Sequence, residues 1–448
     1  MRNAPPEYQA ALDYIYSFIN YESKMPPTPQ HARFNLGRMR WLLRELGEPH
    51  TQFPSVVVAG TKGKGSTSAM LESILRAAGF RTGLFSSPHL HSWRERIQVD
   101  RQLIPQTDVI EDVERLKPLV SRLGELGPPT VFELATALAL RYFADRQVDI
   151  AVLEIGMGGR YDTVNVVTPL VSVITPISFD HMAVLGSTLP EIASAKAGII
   201  KSRVPVVIAP QMPEAMEVIR DEAAQLQAPL FQAQDASLWL MMPSPELPEP
   251  SPLRYPFAIE PDKIGLGGAY QLDNARVALG TALLLRQQGW QISDQALAQG
   301  LASARWPGRF ETLAQQPTIV VDGAMNGESA RRLHESLMAL PHRNLILVLG
   351  TSRDKDIDAI ARELVPGAAA VVLTRSYHPR STPVEMLAEH VKPLLRSPDV
   401  PVILTDDIPP ALDEARRLAA PDDLICVAGS LFVVAAAREA LGAATEID

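Results

Sequence analysis

The chain has 448 residues, 46% of them hydrophobic and 21% charged, the make-up of a folded globular protein too long for one typical core, so two domains, or three, are expected. A net charge of -9 gives no basic footprint for a polyanion, which argues against nucleic acid as a partner and requires a local basic pocket for any small anionic substrate. A single cysteine, Cys426, lies in an apolar run; it excludes an intramolecular disulfide framework and reads as a buried small hydrophobe.

The opening MRNAPPEYQAALDY lacks the charged-then-apolar pattern of a signal peptide, and no apolar stretch approaches the roughly 20 residues that span a bilayer. A cytoplasmic protein without membrane association is expected. From Ser55 onward, β-branched runs alternate with helical patterns, the signature of parallel strands joined by crossover helices. Ser55 to Ala59, Thr82 to Ser86, Val148 to Ile155, Leu170 to Thr175 and Pro205 to Ala209 read as strands.

The first of these feeds Gly60-Thr61-Lys62-Gly63-Lys64-Gly65-Ser66 and then a helix closed by Gly79. The glycines let backbone N–H groups wrap a phosphate, the helix start adds a positive dipole, and Lys64 adds a point charge. Ser66 could reach a magnesium ion. The order Lys-Gly-Ser departs from the Walker spacing, in which lysine directly precedes serine or threonine, and a strand-to-helix turn without ligand is the competing reading.

In Phe85-Ser86-Ser87-Pro88-His89-Leu90, Ser87 reads equally as a hydroxyl for a metal and as the start of a turn. Arg94-Glu95-Arg96 reads as a solvated charge run. Thr107 to Leu123 carries Ile110, Val113, Leu116, Val120 and Leu123 at helical spacing, and Thr130 with Glu133 forms a capping box for the next helix. Glu154 ends a wholly apolar strand, where a carboxylate is costly unless paired or metal-bound, so it is a candidate magnesium ligand. The glycines that follow suit close backbone approach or a tight turn.

His181, in Ser178-Phe179-Asp180-His181 at the end of the next strand, reads first as structural and second as a ligand. Lys196, in the weakly amphipathic Leu189 to Ile200, reads from composition as an exposed helix lysine. The proline-rich Met242 to Pro261 reads as a loop or an irregular edge.

A second alternating series follows, with strands at Thr318 to Val321, Leu345 to Leu349, Ala369 to Thr374, Val402 to Leu404 and Leu424 to Ala428. The boundary falls before Arg305-Trp306-Pro307-Gly308-Arg309, giving domains 1–304 and 305–448. Asp322, in Asp322-Gly323-Ala324, reads as a ribose acceptor or as the start of a turn. His378-Pro379-Arg380 and Gly429-Ser430 follow later strands and complete a row of loops on one side of the sheet.

Taken together, GTKGKGS, SSPHL, RERI, TVFE, EIGMGGRYDTVN, FDHMAVLG, AKAGIIK, YQLDNARVAL, WPGRFE, DGA, HPR and GSLF resemble the folylpolyglutamate synthase and dihydrofolate synthase family of the Mur ligase superfamily. The similarity runs over nearly the whole chain, with the motifs in the family's order. It implies an α/β fold: an N-terminal P-loop ATPase-like domain with a mostly parallel sheet, binding ATP and folate, and a smaller C-terminal Rossmann-like domain. It implies ATP-dependent addition of L-glutamate to a folate, or to dihydropteroate, through an acyl phosphate.

The resemblance further implies that Gly60 to Ser66, Asn274, Arg309 and Asp322 bind the nucleotide. Ser66, Ser87, Glu154, His181 and a carbamylated Lys196 would serve magnesium, and Thr130, Phe132, Glu133 and His378 would serve the acceptor. Lys64, His181 and Lys196 are the expected catalytic residues, and a monomer is expected. Where the family pattern reads aspartate-glycine-alanine-histidine-asparagine-proline, this chain has Met325 for the histidine and Gly327 for the proline. A thioether cannot replace an imidazole's hydrogen bonding or charge. That departure motivates one alternative, a non-catalytic nucleotide- or folate-binding descendant; another amino-acid ligase of the superfamily is the second.

Overall fold

The computed structural model describes residues 5–21, 36–242, 252–444 and 446–448. They form two compact units: Met1–Gly265 with Asp273–Ala304 and Asp448, and Leu266–Leu272 with Arg305–Ile447.

The N-terminal unit is built on β1 (Ser55–Ala59), β2 (Thr82–Phe85), β3 (Ile97–Val99), β4 (Gln102–Leu103), β5 (Ile150–Glu154), β6 (Val171–Ile174), β7 (Val206–Ile208), β8 (Leu230–Ala233), β9 (Ser237–Met242) and β10 (Leu253–Arg254). They form a 10-stranded sheet in the order β10-β9-β8-β7-β6-β1-β5-β2-β3-β4. Pairing is parallel from β8 through β2 and antiparallel at both edges. β1 and β5 are buried at every residue, as central parallel strands covered on both faces must be. Their uninterrupted apolar runs are the sequence consequence.

The C-terminal unit holds β11 (Glu311–Gln315), β12 (Thr318–Asp322), β13 (Leu345–Leu349), β14 (Ala368–Leu373), β15 (Val402–Leu404) and β16 (Leu424–Ala428). Their order is β11-β12-β16-β13-β14-β15, parallel except for the β11/β12 pair. Both units are therefore of the expected α/β class. Cys426 is fully buried in β16 between apolar neighbours. Among the described residues no helix is long and apolar enough to cross a membrane.

The structure changes the reading at several places. Arg94-Glu95-Arg96 is not a solvated run. It forms the turn Trp93–Arg96, where Arg96 is buried and its Nε donates to His89 Nδ1 at 2.9 Å. Glu95 accepts from the N–H groups of Leu90, His91 and Ser92 at 2.7, 2.9 and 3.0 Å. The charges are spent on shaping the turn that carries Ser87. Burial, and then the Arg96 cation, hold the His89 pKa well below the ordinary histidine range, so the neutral ring is the acceptor. His181 does not end a strand: β6 stops at Ile174, and His181 lies in the following loop. Of the proline-rich stretch, residues 243–251 lie outside the described residues, and β10 pairs on the sheet edge.

The helix that follows the phosphate loop, Lys64–Ala77, buries Met70, Leu71, Ile74 and Leu75. Against it lies the helix Asp294–Ser303, whose Gly300 is so close that a Cβ there would come 2.3 Å from Ile74 Cα. Alanine would gain about 1 kcal/mol of helix propensity. Overpacking costs about 1–3 kcal/mol, and the obstacle here is backbone, which cannot rotate away. With a backbone obstacle the upper part of that range, about 2–3 kcal/mol, applies, so Gly300→Ala is expected to lose about 1–2 kcal/mol net, read as a lower urea midpoint; a midpoint at or above the parent's would contradict this packing.

Candidate active site

The phosphate loop hangs between β1 and the helix Lys64–Ala77, with Gly63 at the helix N-cap and φ +83°. Glycine is required twice over, because a Cβ at Gly63 would come 2.2 Å from Asn274 Oδ1 and one at Gly60 would come 1.9 Å from Thr175 Oγ1. Asn274 thus lies directly against the loop. The segment after β6 clasps it from the other side. The N–H groups of Thr61 and Lys62 donate to the Pro176 carbonyl at 3.0 and 3.2 Å, and Thr61 Oγ1 donates to the Ser178 carbonyl at 3.1 Å. Lys62 Nζ reaches Asp180 at 3.4 Å. Two loop amides therefore hold the loop's own shape. Gly63 has no side chain to cap the first helical turn, which leaves that end suited to an anion.

Lys196 is 3% exposed, and this overturns the expectation of a solvent lysine. It lies on the helix Leu189–Ala197 with Ile192, Ala193 and Ala197 on the buried face. Its Nζ donates to the Gly60 carbonyl at 2.8 Å. Burial, then the Lys64 cation, lower its pKa from 10.5 to about 7. Glu154, at the end of β5 and 4% exposed, accepts from the Ser87 N–H at 3.4 Å, so the end of β5 meets the loop that follows its neighbour β2.

Beside them a cavity of about 420 Å³ opens between the start of the helix Val131–Asp145, the Gly156–Thr163 loop and His181, Val184 and Leu185. Thr130, Phe132 and Glu133 all line it. The Phe132 ring covers Gly156 so closely that a Cβ there would come 2.6 Å from it. The Thr130–Glu133 capping box is present: Glu133 N–H donates to Thr130 Oγ1 at 3.1 Å, and Thr130 N–H donates to Glu133 Oε2 at 2.7 Å. Arg38, 2% exposed, adds a bidentate pair to Glu133 at 2.9 and 3.1 Å. Glu133 is a wall of the cavity with its oxygens engaged.

The sequence reading missed Arg38, and it gave no role to Asp162. Asp162 accepts from the N–H groups of Gly156, Met157 and Val164 at 3.0, 3.1 and 2.9 Å. Burial nevertheless raises its pKa to about 6. An aspartate six residues after a glycine that must turn away from a strand end is the signal that was available. His181, with φ +50°, projects from the loop at the cavity's edge.

In the C-terminal unit Asp322 ends β12, and its carboxylate accepts from Tyr270 Oη, Phe310 N–H and Ala324 N–H, each at 2.8 Å. The bond to Ala324 is the turn-opening contact read as one alternative. Burial raises its pKa, and the Arg309 cation acts against that. The His378 ring stacks on Phe432 with centroids 3.8 Å apart, and burial lowers its pKa. The structure thus gathers the phosphate loop, Asn274 and Lys196, brings Ser87 to Glu154, and groups Thr130, Phe132, Glu133 and His181 around one cavity. Among the described residues no cluster of three or more His, Cys, Asp or Glu side chains is placed to hold a metal, and magnesium, which keeps water and phosphate ligands, does not need one.

Residues 58–282 match the Mur ligase middle domain, and residues 308–431 match the Mur ligase glutamate ligase domain. The dihydrofolate synthase/folylpolyglutamate synthase of Bacillus subtilis is 34% identical over 97% of this chain and 99% of its own length. A probable bifunctional folylpolyglutamate synthase/dihydropteroate synthase of Haloferax volcanii is 36% identical over 96% of this chain, which spans 50% of that relative. Among solved structures, the Mycobacterium tuberculosis folylpolyglutamate synthase complexed with ADP superposes with a TM-score of 0.83 at 31% identity, covering 97% of this chain and 98% of that one. The chain belongs to the folylpolyglutamate synthase and dihydrofolate synthase family of the Mur ligases.

Proposed function

We propose that this chain is an ATP-dependent ligase that joins L-glutamate to a folate, or to dihydropteroate, through an acyl phosphate. The observation that carries this reading is the adjacency, within one unit, of a phosphate loop and an aromatic-walled cavity. β1 leads into the loop, β5 leads into Gly156–Thr163, and β1 pairs with β5. A flat heterocycle fits a wall made of Phe132, while the loop takes the nucleotide phosphates.

An oxygen of the acceptor carboxylate attacks the γ-phosphorus, the bond to the β-phosphate oxygen breaks, and ADP leaves. The glutamate amine then attacks the acyl carbon, phosphate departs with the C–O electron pair, and the amine loses a proton. Lys64, in the loop, offsets charge on the transferred phosphoryl group, since such transfer depends on positioning and charge stabilisation. Ser66, Ser87, Glu154, His181 and carbamylated Lys196 would hold magnesium, which when bound adds positive charge beside the γ-phosphate. The donors fit it, being oxygen-rich once Lys196 carries a carbamate. A depressed Lys196 pKa supports that modification, because only the neutral amine forms the N–C bond to CO₂. The protein acts as a monomer in the cytoplasm.

Phosphate release from ATP should require both L-glutamate and a pterin-bearing acceptor, and mass detection should show a product one glutamyl residue longer. No glutamate-dependent release with either dihydropteroate or tetrahydrofolate would overturn the reading. Lys196→Ala should lower kcat by at least about 100-fold, with part restored by short carboxylates. In the parent protein a ¹³C carbamate signal should grow as pH rises through about 7, where the Lys196 ammonium becomes amine. Unchanged activity of Lys196→Ala without added carboxylate, or no carbamate at any pH, would remove Lys196 from this role.

A further inference from the structure

Tyr270 stands just before the helix Gln271–Gln287 and belongs, with the rest of Leu266–Leu272, to the C-terminal unit. The segment is built into that unit. Ala269 N–H donates to Ser336 Oγ at 3.1 Å. The Phe310 ring presses on Gly267 and Gly268, where Cβ atoms would come 2.8 and 3.3 Å from it, and the Tyr270 ring folds over Gly268 at 2.9 Å. A phenylalanine would fill the same space. The hydroxyl therefore calls for its own explanation, since burying it costs free energy unless it is used.

It is used on Asp322. Oδ2 accepts from both Tyr270 Oη and Phe310 N–H, while Oδ1 accepts from Ala324 N–H. A carboxylate has about four lone-pair sites, so Oδ2 is saturated and one acceptor direction remains, on Oδ1. Two backbone N–H groups alone would leave an open site on each oxygen. Burial raises the pKa of this carboxyl, and the Arg309 cation acts against that rise.

We propose that Tyr270 is a positioning residue for nucleotide binding: by saturating Oδ2 it leaves Asp322 a single open acceptor, which reads one hydroxyl of the nucleotide sugar. This rests on the reading of Asp322 as a nucleotide contact.

The test uses initial rates of the full chain with ATP, 2′-deoxyATP and 3′-deoxyATP. In the parent protein one deoxynucleotide should match ATP in KM and the other should be worse by about tenfold. Tyr270→Phe should raise the KM for ATP about fivefold and narrow the gap between the two analogues, with the KM for the folate acceptor unchanged. A merely structural tyrosine would lower the ligand-free melting temperature and leave the KM for ATP alone. Equal penalties for both analogues in the parent, which needs no variant to fold, would overturn the proposal. So would an unchanged KM for ATP in Tyr270→Phe when Asp322→Asn raises it. If Asp322→Asn itself leaves the KM for ATP unchanged, it is the nucleotide reading of Asp322 that fails.

Discussion

The hydrogen bond from Lys196 Nζ to the Gly60 carbonyl ties a buried lysine to the phosphate loop. A charged amine removed from water loses several kcal/mol of solvation, and one bond to a carbonyl returns only about 1–3 kcal/mol. The balance is met by neutralising the amine, which is the sense of its lowered pKa. A lysine whose charge is disfavoured and which is held against a phosphate loop is poorly explained by stability, for which leucine or methionine would serve better. A lowered pKa is what the proposed carbamylation requires of it. The close fits at Gly60 and Gly63, the clasp from Pro176 and Ser178, and the Lys62–Asp180 pair all fix the loop around that point.

The parts of the fold legible in the sequence were those whose burial is symmetrical. β1, β5, β13 and β16 are covered on both faces, so each appears as an unbroken apolar run that periodicity and flanking glycines identify. The edge strands β3, β4, β10 and β11 were not legible. All four pair antiparallel at or next to a sheet edge; β4, β10 and β11 are partly exposed and β3 is only three residues long, so their partners rather than their composition make them strands. The loops carrying glycine with lysine or carboxylate announced themselves, because few residues suit a backbone that must approach a ligand.

Buried charges were the main failure, for one physical reason. Arg38 is buried because Glu133, 95 residues away, accepts two of its bonds, and Arg96 because His89 is held neutral beside it. Composition places such residues in solvent; only the fold supplies the partner. Lys196 differs, since Ile192, Ala193 and Ala197 mark its side of the helix as inward. Met325 and Gly327, which stand where the resembled pattern has histidine and proline, sit in a turn held by local hydrogen bonds. Ser329 Oγ accepts from the Met325 N–H at 3.1 Å, and Asn326 caps the helix that starts at Gly327.

The central claim is that the acceptor carboxylate is phosphorylated before the amide forms. An acceptor whose reacting carboxylate carries ¹⁸O tests it directly by mass analysis of the phosphate released during turnover. The account predicts one ¹⁸O transferred to phosphate for each amide made. Phosphate that carries no label while amide accumulates would contradict it.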